Sequence, residues 1–379
     1  MKVLIIGAGV GGLAAARALH ADGHQVSVFE RAGGLRTTGA ALTLWSNGTG
    51  ILADLGVSLD GVGAPVDVLR QCTYDGRHLV DIDVGRSASV LGHPNISLPR
   101  RRIIERLAAG PPSGLIEFDR ACTGVVEDGD GVLVKFADGT TAEGDLLIGA
   151  DGRGSAVRDH VWGADPATPS GWATWQGLSR IPIEVASSRR GMMIVGPEGM
   201  CGLMPAGEGL LQWWFDVRWS PAEPMPDAPL DVLRRRFGHW ASPARDVLAM
   251  ADEDDLEFFP HFRHRVPRVW GAGPITLVGD AAHSMPPTRA QGANQALEDA
   301  WLLAHDLRRG TGALPDMLPD VLRGYERTRS KKAGIVARHA GTEDINKYRP
   351  WLSRLLPEAF LSRYYTYWIK QISDYLTRR

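Results

Sequence analysis

Three glycines, Gly7, Gly9 and Gly12, directly follow the apolar run KVLII at residues 2–6. An uninterrupted apolar run of this length is typical of a buried strand in a parallel sheet, and the residues after the glycines have the composition of a helix. In such a strand–turn–helix unit, the G-x-G-x-x-G glycines permit the tight turn, the close approach of a pyrophosphate and the packing of helix on strand. The spacing therefore predicts a dinucleotide-binding unit, although this motif alone does not distinguish FAD from NAD.

The second strand of this unit, residues 25–30, ends in an acidic residue. Glu30 stands where a carboxylate accepts hydrogen bonds from the ribose of a bound dinucleotide. The N-terminus of the helix after the glycines supplies N–H donors and a positive dipole end for the pyrophosphate. The predicted cofactor contacts at this end of the chain also include Val10, Gly11 and Arg31.

The composition indicates the class of protein and excludes several kinds of partner. The chain has 379 residues, of which 44% are hydrophobic and 23% charged, and this predicts a globular protein of two domains. A net charge of −2 gives no electrostatic case for binding nucleic acid or an anionic membrane. Three widely spaced cysteines exclude a disulfide framework, and no apolar run reaches the roughly 18 residues that cross a bilayer. We therefore expect a cytoplasmic protein without a membrane segment.

The texture of the sequence changes twice along the chain. The first part alternates apolar strands with helices, residues 165–262 are short β-like runs separated by Gly and Pro, and the chain after the buried strand at 273–280 is helical in pattern. The middle segment predicts one antiparallel sheet inserted into a discontinuous α/β domain. The predicted domains are a cofactor-binding domain at 1–72, 98–165 and 263–320, a β-sheet substrate domain at 73–97 and 166–262, and C-terminal helices at 321–379.

Two later motifs identify the dinucleotide. DLLIGADGRGSAVR, at residues 145–158, places Asp151 and Gly152 after a buried strand, and GDAAHSMPPTRAQGANQALEDA, at 279–300, is a second glycine-rich strand–loop–helix. Together with GAGVGG and Glu30, these motifs resemble in order and spacing those of the class A FAD-dependent aromatic hydroxylases, flavoprotein monooxygenases whose similar members include urate hydroxylases and pyridine-ring oxygenases. One position departs from the pattern: the family usually has Gly before the Gln, and this chain has Ala290.

The resemblance implies a fold, a cofactor and a reaction. The fold is α/β, with a Rossmann-like FAD-binding domain interrupted by a β-rich substrate domain and followed by a C-terminal helical tail, as in para-hydroxybenzoate hydroxylase. FAD is the cofactor, and NADPH or NADH is a transient co-substrate, since no second G-x-G-x-x-G is present for it. In the implied reaction NAD(P)H reduces FAD, O₂ adds to form a flavin C4a-hydroperoxide, and one oxygen is transferred to an aromatic or polyketide-like small molecule.

Two alternatives remain open from the sequence. One is an FAD-binding protein of the same fold without redox turnover, in a structural or cyclising role, and the other is a non-hydroxylating flavin oxidoreductase. Because the flavin performs the chemistry, no side chain is predicted to be catalytic and no metal is predicted. We expect a monomer or a homodimer.

The resemblance also assigns cofactor contacts in the later motifs. Asp280 is expected to accept hydrogen bonds from ribityl hydroxyls, and the N–H groups of Gly292 and Ala293 to bind the pyrimidine edge of the flavin, where negative charge develops on reduction. Arg100, with Arg101 as its rival, is expected to contact the pyrophosphate. The remaining predicted contacts are Arg36, Asp151, Gly152, Gly279, Pro287 and Asn294.

Two strands around a glycine turn predict the substrate pocket. Side chains two apart share a face of a strand, so one face carries Met200, Met204, Gln212 and Trp214, and the other carries Cys201, Leu203, Trp213 and Phe215. By analogy with the family, the first set is expected to face the substrate. Because neither strand supplies an Arg or Lys, we expect a larger, uncharged aromatic or polyketide-like substrate and not a small polar one such as urate.

The histidines and the C-terminal tail have ordinary structural interpretations. His283 is expected to pack or hydrogen-bond near its loop, and the HxxH pair His261 and His264 lacks a nearby third metal ligand. The C-terminal helix is expected to pack over both domains, with a dimer surface or a substrate lid as the alternatives.

Overall fold

The computed structural model describes residues 1–36, 39–110, 114–128, 131–310, 317–352 and 355–378. Its strands are β1 (Lys2–Ile6), β2 (Gln25–Phe29), β3 (Ala41–Leu44), β4 (Ala64–Pro65), β5 (Val68–Thr73), β6 (His78–Asp83), β7 (Ile96–Pro99), β8 (Ile116–Glu117), β9 (Cys122–Asp128), β10 (Gly131–Phe136), β11 (Thr141–Gly144), β12 (Leu146–Gly149), β13 (Thr168–Ser179), β14 (Arg190–Gly196), β15 (Gly199–Gly207), β16 (Leu210–Arg218), β17 (Glu257–Arg263) and β18 (Ile275–Leu277). Its α-helices are α1 (Val10–Ala21), α2 (Ser46–Asp54), α3 (Gly85–Leu91), α4 (Arg100–Ala108), α5 (Ala156–Trp162), α6 (Glu184–Ser187), α7 (Pro229–Phe237), α8 (Ala244–Met250), α9 (Asp280–His283), α10 (Gly292–Arg309), α11 (Leu318–Gly341), α12 (Glu358–Gln371) and α13 (Tyr375–Arg378). Short 3-10 helices lie at Glu253–Asp255, Pro287–Arg289 and Asp344–Asn346.

A five-stranded parallel sheet in the order β18–β12–β1–β2–β8 forms the first layer. β1 pairs with β12 on one side and with β2 on the other, and β18 pairs with β12, so the strands of all three motifs are neighbours. Val3, Leu4 and Ile5 of β1 are fully buried, as expected for a central parallel strand. Because the carboxyl ends of parallel strands meet at one edge of a sheet, the loops after β1, β12 and β18 converge there, and the predicted Rossmann-like fold is confirmed.

The turn after β1 requires glycine at two positions. Gly7 has φ +106, and a Cβ at this position would clash with the carbonyl oxygen of Ala150 after β12. A Cβ at Gly12 would clash with the carbonyl oxygen of Gly7, so any side chain there would separate the helix from the turn. Gly7 therefore permits the turn to pass beside the segment after β12, and Gly12 permits α1 to pack against the turn, as the motif predicts.

A seven-stranded sheet in the order β17–β13–β16–β15–β14–β5–β6 forms the β-rich layer, and two three-stranded sheets have the orders β11–β10–β9 and β3–β7–β4. Neighbouring strands of the large sheet are antiparallel, except that β5 and β14 run parallel. The strands of the inserted segment, β13 to β17, pair antiparallel with one another as predicted, and the parallel pair arises because β5 precedes the insertion in the chain and enters the sheet alongside β14. β5 also crosses the predicted domain boundary at residue 72.

The two faces of the large sheet are covered differently. On one face Leu203, Trp213 and Phe215 pack in a core with residues of α7 and α8. On the other face Met204 packs in a cluster with Met285, from the loop after β18, and with residues of α11 and α12. The second face therefore meets the edge of the parallel sheet at which the three motif loops converge.

The C-terminal helix α12 packs by one side only. It buries Ser362, Thr366 and Ile369 and leaves an exposed aromatic stripe, Phe360, Tyr364 and Tyr367, at 51%, 52% and 60% exposure. In the part of the chain that the structure describes, no helix is both long and apolar enough to cross a bilayer.

Candidate cofactor and substrate site

The turn after β1 leaves open space at the start of α1. A Cβ built on Gly9 would meet no atom within 4 Å, in contrast to the crowding at Gly7 and Gly12. Gly9 is the N-cap residue of α1, and no side chain among the described residues caps the first N–H groups of this helix. Uncapped N–H groups at the positive end of a helix dipole bind anions, so this turn fits a pyrophosphate.

Glu30 lies beside this turn. Its Oε2 accepts a hydrogen bond from the N–H of Ala8 (2.8 Å), and its Oε1 accepts one from the N–H of Ala32 (3.0 Å). These bonds hold the half-buried carboxylate at the edge of the glycine turn, where the sequence predicts a ribose. Of the flanking residues, Arg31 is exposed, whereas Gly11 faces α10, with its Cβ position 3.3 Å from the Cβ of Ala296.

Arg36 and Arg100 approach each other beside Gly39. A Cβ on Gly39 would lie 3.6 Å from Nη2 of Arg36 and 3.7 Å from Cδ of Arg100. Arg36 forms an ion pair with Glu257 (3.3 Å), but the Arg100 guanidinium has no hydrogen-bond or ion-pair partner among the described residues. Burial, together with the charge of Arg36, lowers the pKa of Arg100, whereas the rival Arg101 is exposed. Two neighbouring arginines, one of them without a partner among the described residues, favour an anion beside them, which fits the predicted pyrophosphate.

Asp151 uses one carboxylate oxygen and leaves the other without a partner. Oδ2 accepts hydrogen bonds from the N–H groups of Ala156 (2.8 Å) and Val157 (3.4 Å), at the start of α5. Oδ1 is buried with no partner in the described part of the chain, and burial raises the pKa of this carboxyl. The adjacent Gly152 has φ +82 and open space at its Cβ position, so the pair presents an acceptor beside room for a ligand hydroxyl.

The loop after β18 brings a carboxylate to the start of α10. Gly279 has φ +61, and its N–H donates to Oδ2 of Asp299 (2.8 Å). Asp280 is exposed, and its Oδ1 would lie 4.0 Å from a Cβ on Gly292. Gly292 and Ala293 form the first turn of α10, which has no side-chain cap among the described residues. This is the arrangement predicted for the ribityl chain and the pyrimidine edge, and Pro287 lies exposed on the same loop.

Ala290 keeps the turn of this loop although the family usually has glycine there. It has a left-handed backbone, φ +47, which glycine adopts with less strain. Its carbonyl oxygen accepts hydrogen bonds from Nε1 of Trp45 (3.1 Å) and Nδ2 of Asn294 (2.9 Å). Oδ1 of Asn294 accepts a third bond from the backbone N–H of Trp45 (2.9 Å). The side chain of Asn294 therefore braces the loop, and only its backbone is available to a cofactor.

The predicted pocket residues lie on the face of the large sheet that meets this loop. Met204 and Trp214 pack in the cluster that contains Trp45 and Met285, and Met200 packs with Trp214 in an adjoining cluster. Gln212 is paired with Met204 across β15 and β16. The opposite set is buried against α7 and α8. The predicted set therefore faces the segment at residues 279–293, which we call the flavin-side loop. Contact of these side chains with the substrate stays a prediction.

Glycine gives Trp214 room to spread over this face. A Cβ on Gly202 of β15 would clash with the indole ring of Trp214, and a Cβ on Gly177 would clash with that of Trp213 on the other face. Met193 on β14 is paired with Gly202, so it borders the same surface. The sequence analysis did not identify Met193, Trp45, Glu257 or Met285. The alternation of side chains along β14 could have indicated Met193, whereas the other three take part through contacts with residues distant in sequence.

The histidines serve buried networks. Nε2 of His283 lies 2.6 Å from Oδ2 of Asp299, and both residues are fully buried. His264 lies 3.4 Å from Arg158, whereas His261 joins a separate cluster with Asp216 and Glu343, so the HxxH pair does not converge on one point. In this second cluster the hydroxyl of Thr174 contacts both Asp216 and His261.

The buried carboxyl group of Asp216 predicts that the free energy of unfolding depends on pH. Burial raises its pKa to about 6, although His261 and Thr174 favour the charged form. Since an unfolded Asp titrates near pH 4, the folded carboxyl holds its proton between about pH 4 and 6 while the unfolded one loses it, and stability falls as pH rises through this window. Asp216→Asn is expected to abolish that decline and to raise the free energy of unfolding at pH 7 by about 1–3 kcal/mol.

Urea denaturation of both proteins from pH 4 to 7 measures this effect. The exposed Asp227→Asn is the matched control and should leave the profile unchanged. An Asp216→Asn protein with the wild-type slope between pH 4 and 6 would show that Asp216 ionises normally.

Comparisons with known proteins agree with this geometry. A family model described as "FAD binding domain" matches residues 1–338. The FAD-dependent urate hydroxylase of Klebsiella pneumoniae is 33% identical over 328 residues, covering 82% of each chain, and the 3-amino-4-hydroxybenzoate 2-monooxygenase of Streptomyces cremeus is 33% identical over 348 residues, covering 90% of this chain and 86% of that protein. The crystal structure of Klebsiella pneumoniae HpxO complexed with FAD and uric acid superposes with a TM-score of 0.91 at 27% identity, over 99% of this chain and 97% of that one.

Proposed function

The chain belongs to the FAD-dependent aromatic hydroxylases, flavoprotein monooxygenases that hydroxylate aromatic substrates, and we propose that NADH or NADPH reduces its flavin and that the substrate ring binds between Trp214 and the loop at residues 290–293. The observation that carries the proposed site is the cluster in which Met204, Trp214, Met285 and Ala290 pack together. It joins the large sheet to the loop that precedes the uncapped N-terminus of α10. The redox-silent alternative is not favoured, because the similar proteins are hydroxylases and monooxygenases.

Different residues around this site are proposed to bind different parts of the cofactor and the substrate. When bound, FAD supplies the redox chemistry, accepting a hydride and activating O₂. We propose that the turn at Gly9, with Arg36 and Arg100, binds the pyrophosphate, that Glu30 binds the adenosine ribose, and that Asp280 and the N–H groups of Gly292 and Ala293 hold the flavin end. The apolar wall formed by Met200, Met204 and Trp214 would exclude water from the reacting ring.

The names of the relatives support a smaller substrate than the one expected from β15 and β16. The two relatives act on urate and on an aminohydroxybenzoate, which are single- or fused-ring molecules. We propose a small aromatic substrate of this kind in place of the larger one.

We also propose the predicted domain ranges, with β5 assigned to the large sheet.

An absorbance spectrum followed by NADH and NADPH oxidation in air tests the proposal. A panel of hydroxylated benzoates, phenols, purines and polycyclic phenols is added singly to the flavin-loaded protein. We expect one ring class to accelerate oxidation of one nicotinamide and to gain one oxygen atom by mass. If no compound in the panel changes the rate at which the flavin-loaded protein oxidises NADH or NADPH, the proposed reductant and substrate are contradicted.

The variant Trp214→Leu checks the position of the pocket. Loss of the indole surface should raise KM for the accepted ring about 10-fold, since it removes one aromatic contact worth about 1.4 kcal/mol. FAD affinity should be unchanged, because Trp214 lies on the sheet and not on the cofactor loops. The exposed Trp351→Leu is the matched control.

A further inference from the structure

Arg289 is a cation placed in the flavin-side loop without a partner. It is half-buried, its Nε is buried, and no described residue forms a hydrogen bond or ion pair with its guanidinium. The ionisable groups that act on it electrostatically are Asp344, which forms its own ion pair with Lys347 (2.9 Å), and Tyr364 on α12. Taking a guanidinium out of water is costly unless an anion or hydrogen-bond acceptors compensate it.

Two chain connections place Arg289 at the wall of the substrate pocket. Its neighbour Ala290 packs in the cluster with Met204 and Trp214. Asp344, whose charge acts on Arg289, is followed by Ile345, which packs with Met200 and Trp214. Arg289 therefore lies on the flavin-side loop near the 3-10 helix Asp344–Asn346, and both of these segments border the same apolar surface.

The loop is fixed independently of this arginine. Thr288 donates to the carbonyl oxygen of Ala340 on α11 (3.1 Å), and Trp45 and Asn294 donate to the carbonyl oxygen of Ala290. Because these bonds hold the backbone on both sides of residue 289, the Arg289 side chain is not needed to keep the loop in place. A partly desolvated cation with no structural role lowers the stability of the protein, and an anion on a bound ligand would offset this loss.

We propose that Arg289 binds an acidic substituent, a carboxylate or a phenolate, on the aromatic substrate and so selects ionised over neutral rings. This inference rests on the proposed function and specifies its substrate class. It replaces the expectation of an uncharged substrate, which considered only β15 and β16 and did not consider the loop that closes the pocket. The planar guanidinium can form two parallel hydrogen bonds with a carboxylate, which Lys or Gln cannot.

Matched acid and amide probes test this on the flavin-loaded protein. The change in flavin absorbance is titrated at pH 7.5 with 4-hydroxybenzoate against 4-hydroxybenzamide, and with salicylate against salicylamide. We expect at least one acid to bind about 10-fold or more tightly than its amide, as one charge-assisted hydrogen bond would give. In Arg289→Gln the affinity for the acid should fall to the affinity for the amide, and the affinity for the amide should not change. Arg338→Gln, which removes an exposed charge on α11, is the control and should bind both probes as the wild type does.

Thermal unfolding without any aromatic ligand supplies a second readout. If Arg289 serves a ligand, Arg289→Gln removes a desolvated, unpaired cation, and Tm should rise by about 1–3 °C. If Arg289 is structural, Tm should fall. A fall in Tm, an equal affinity for acids and amides in the wild type, or no binding of either member of both pairs overturns the inference. Protein that cannot be loaded with FAD refutes the proposed function itself, and this outcome is read from the spectrum before any probe is added.

Discussion

Gly9→Val is expected to yield a folded protein that purifies without flavin colour. The valine side chain would enter the open space at the start of α1, where a Cβ meets no described atom within 4 Å. Gly9 has φ −79 and ψ −176, an extended conformation that valine adopts without strain. The new side chain would occupy the space next to the uncapped N–H groups and keep a pyrophosphate from reaching them. Loss of two charge-assisted hydrogen bonds predicts FAD binding weaker by about 100-fold or more.

Two measurements separate the loss of cofactor from the loss of fold. Urea denaturation of the apoprotein should give the wild-type midpoint, and an FAD titration followed by flavin fluorescence should give the change in Kd. Gly124→Val in β9, where the nearest atom to a Cβ is Cδ of Lys135 at 4.0 Å, is the matched control and should bind FAD normally. Gly12→Val supplies the contrast, because its clash with the carbonyl oxygen of Gly7 should lower stability itself. Wild-type FAD affinity in Gly9→Val would rule out this turn as the pyrophosphate site.

Short-range patterns were sufficient to predict the parts of the fold that depend on neighbouring residues. The apolar run of β1 with Gly7 and Gly12 predicts the parallel strand and its turn, because the positive φ of Gly7 and the contact of Gly12 with Gly7 lie within six residues, although the segment at Ala150 also restricts Gly7. The alternation along β15 and β16 correctly separates Met204 and Trp214 from Leu203 and Trp213, because a strand has a period of two. The resemblance then supplied the order of the three motifs, and the parallel sheet brings their loops to one edge.

Contacts between distant segments could not be predicted in this way. β5 pairs in parallel with β14, more than 100 residues later, and no local pattern specifies that neighbour. Trp45 supports Ala290 by a bond that spans 245 positions, and Glu257 pairs with Arg36 across 221. Arg289 was visible in the sequence, but its lack of a partner depends on where α11 and the segment at Asp344 pack. These features follow from tertiary packing, which overrides the preferences of short segments.

A buried ion network holds the flavin-side loop to the C-terminal helices. Arg329 on α11 is fully buried and donates from Nε to Asp299 (2.7 Å) and from Nη1 to Asp374 (3.0 Å). Asp299 also accepts from the N–H of Gly279 and contacts His283, both in the loop after β18. Burial opposes ionisation of Asp299, but His283 and Arg329 outweigh it and lower the pKa of this carboxyl. The Arg329 guanidinium therefore links Asp299, beside the loop after β18, to Asp374 near the C-terminus, where Lys332 forms a second ion pair (3.1 Å).

Arg329→Met is expected to lower the free energy of unfolding by about 3–5 kcal/mol, because methionine preserves much of the volume but removes the guanidinium that Asp299 and Asp374 share, leaving His283 beside Asp299 and Lys332 beside Asp374. Urea denaturation measures the loss, and Arg338→Met, exposed on the same helix, should change stability by less than about 0.5 kcal/mol. The double variant Asp299→Asn with Arg329→Met should be less destabilised than the sum of the two single changes, since the second change removes a charge that the first has left unpaired. Additive losses would mean that Arg329 and Asp299 stabilise the protein independently. A loss below about 1 kcal/mol in Arg329→Met would show that solvent or His283 compensates the carboxylates, and the loop that carries Asp280 would then not depend on the C-terminal helices for its position.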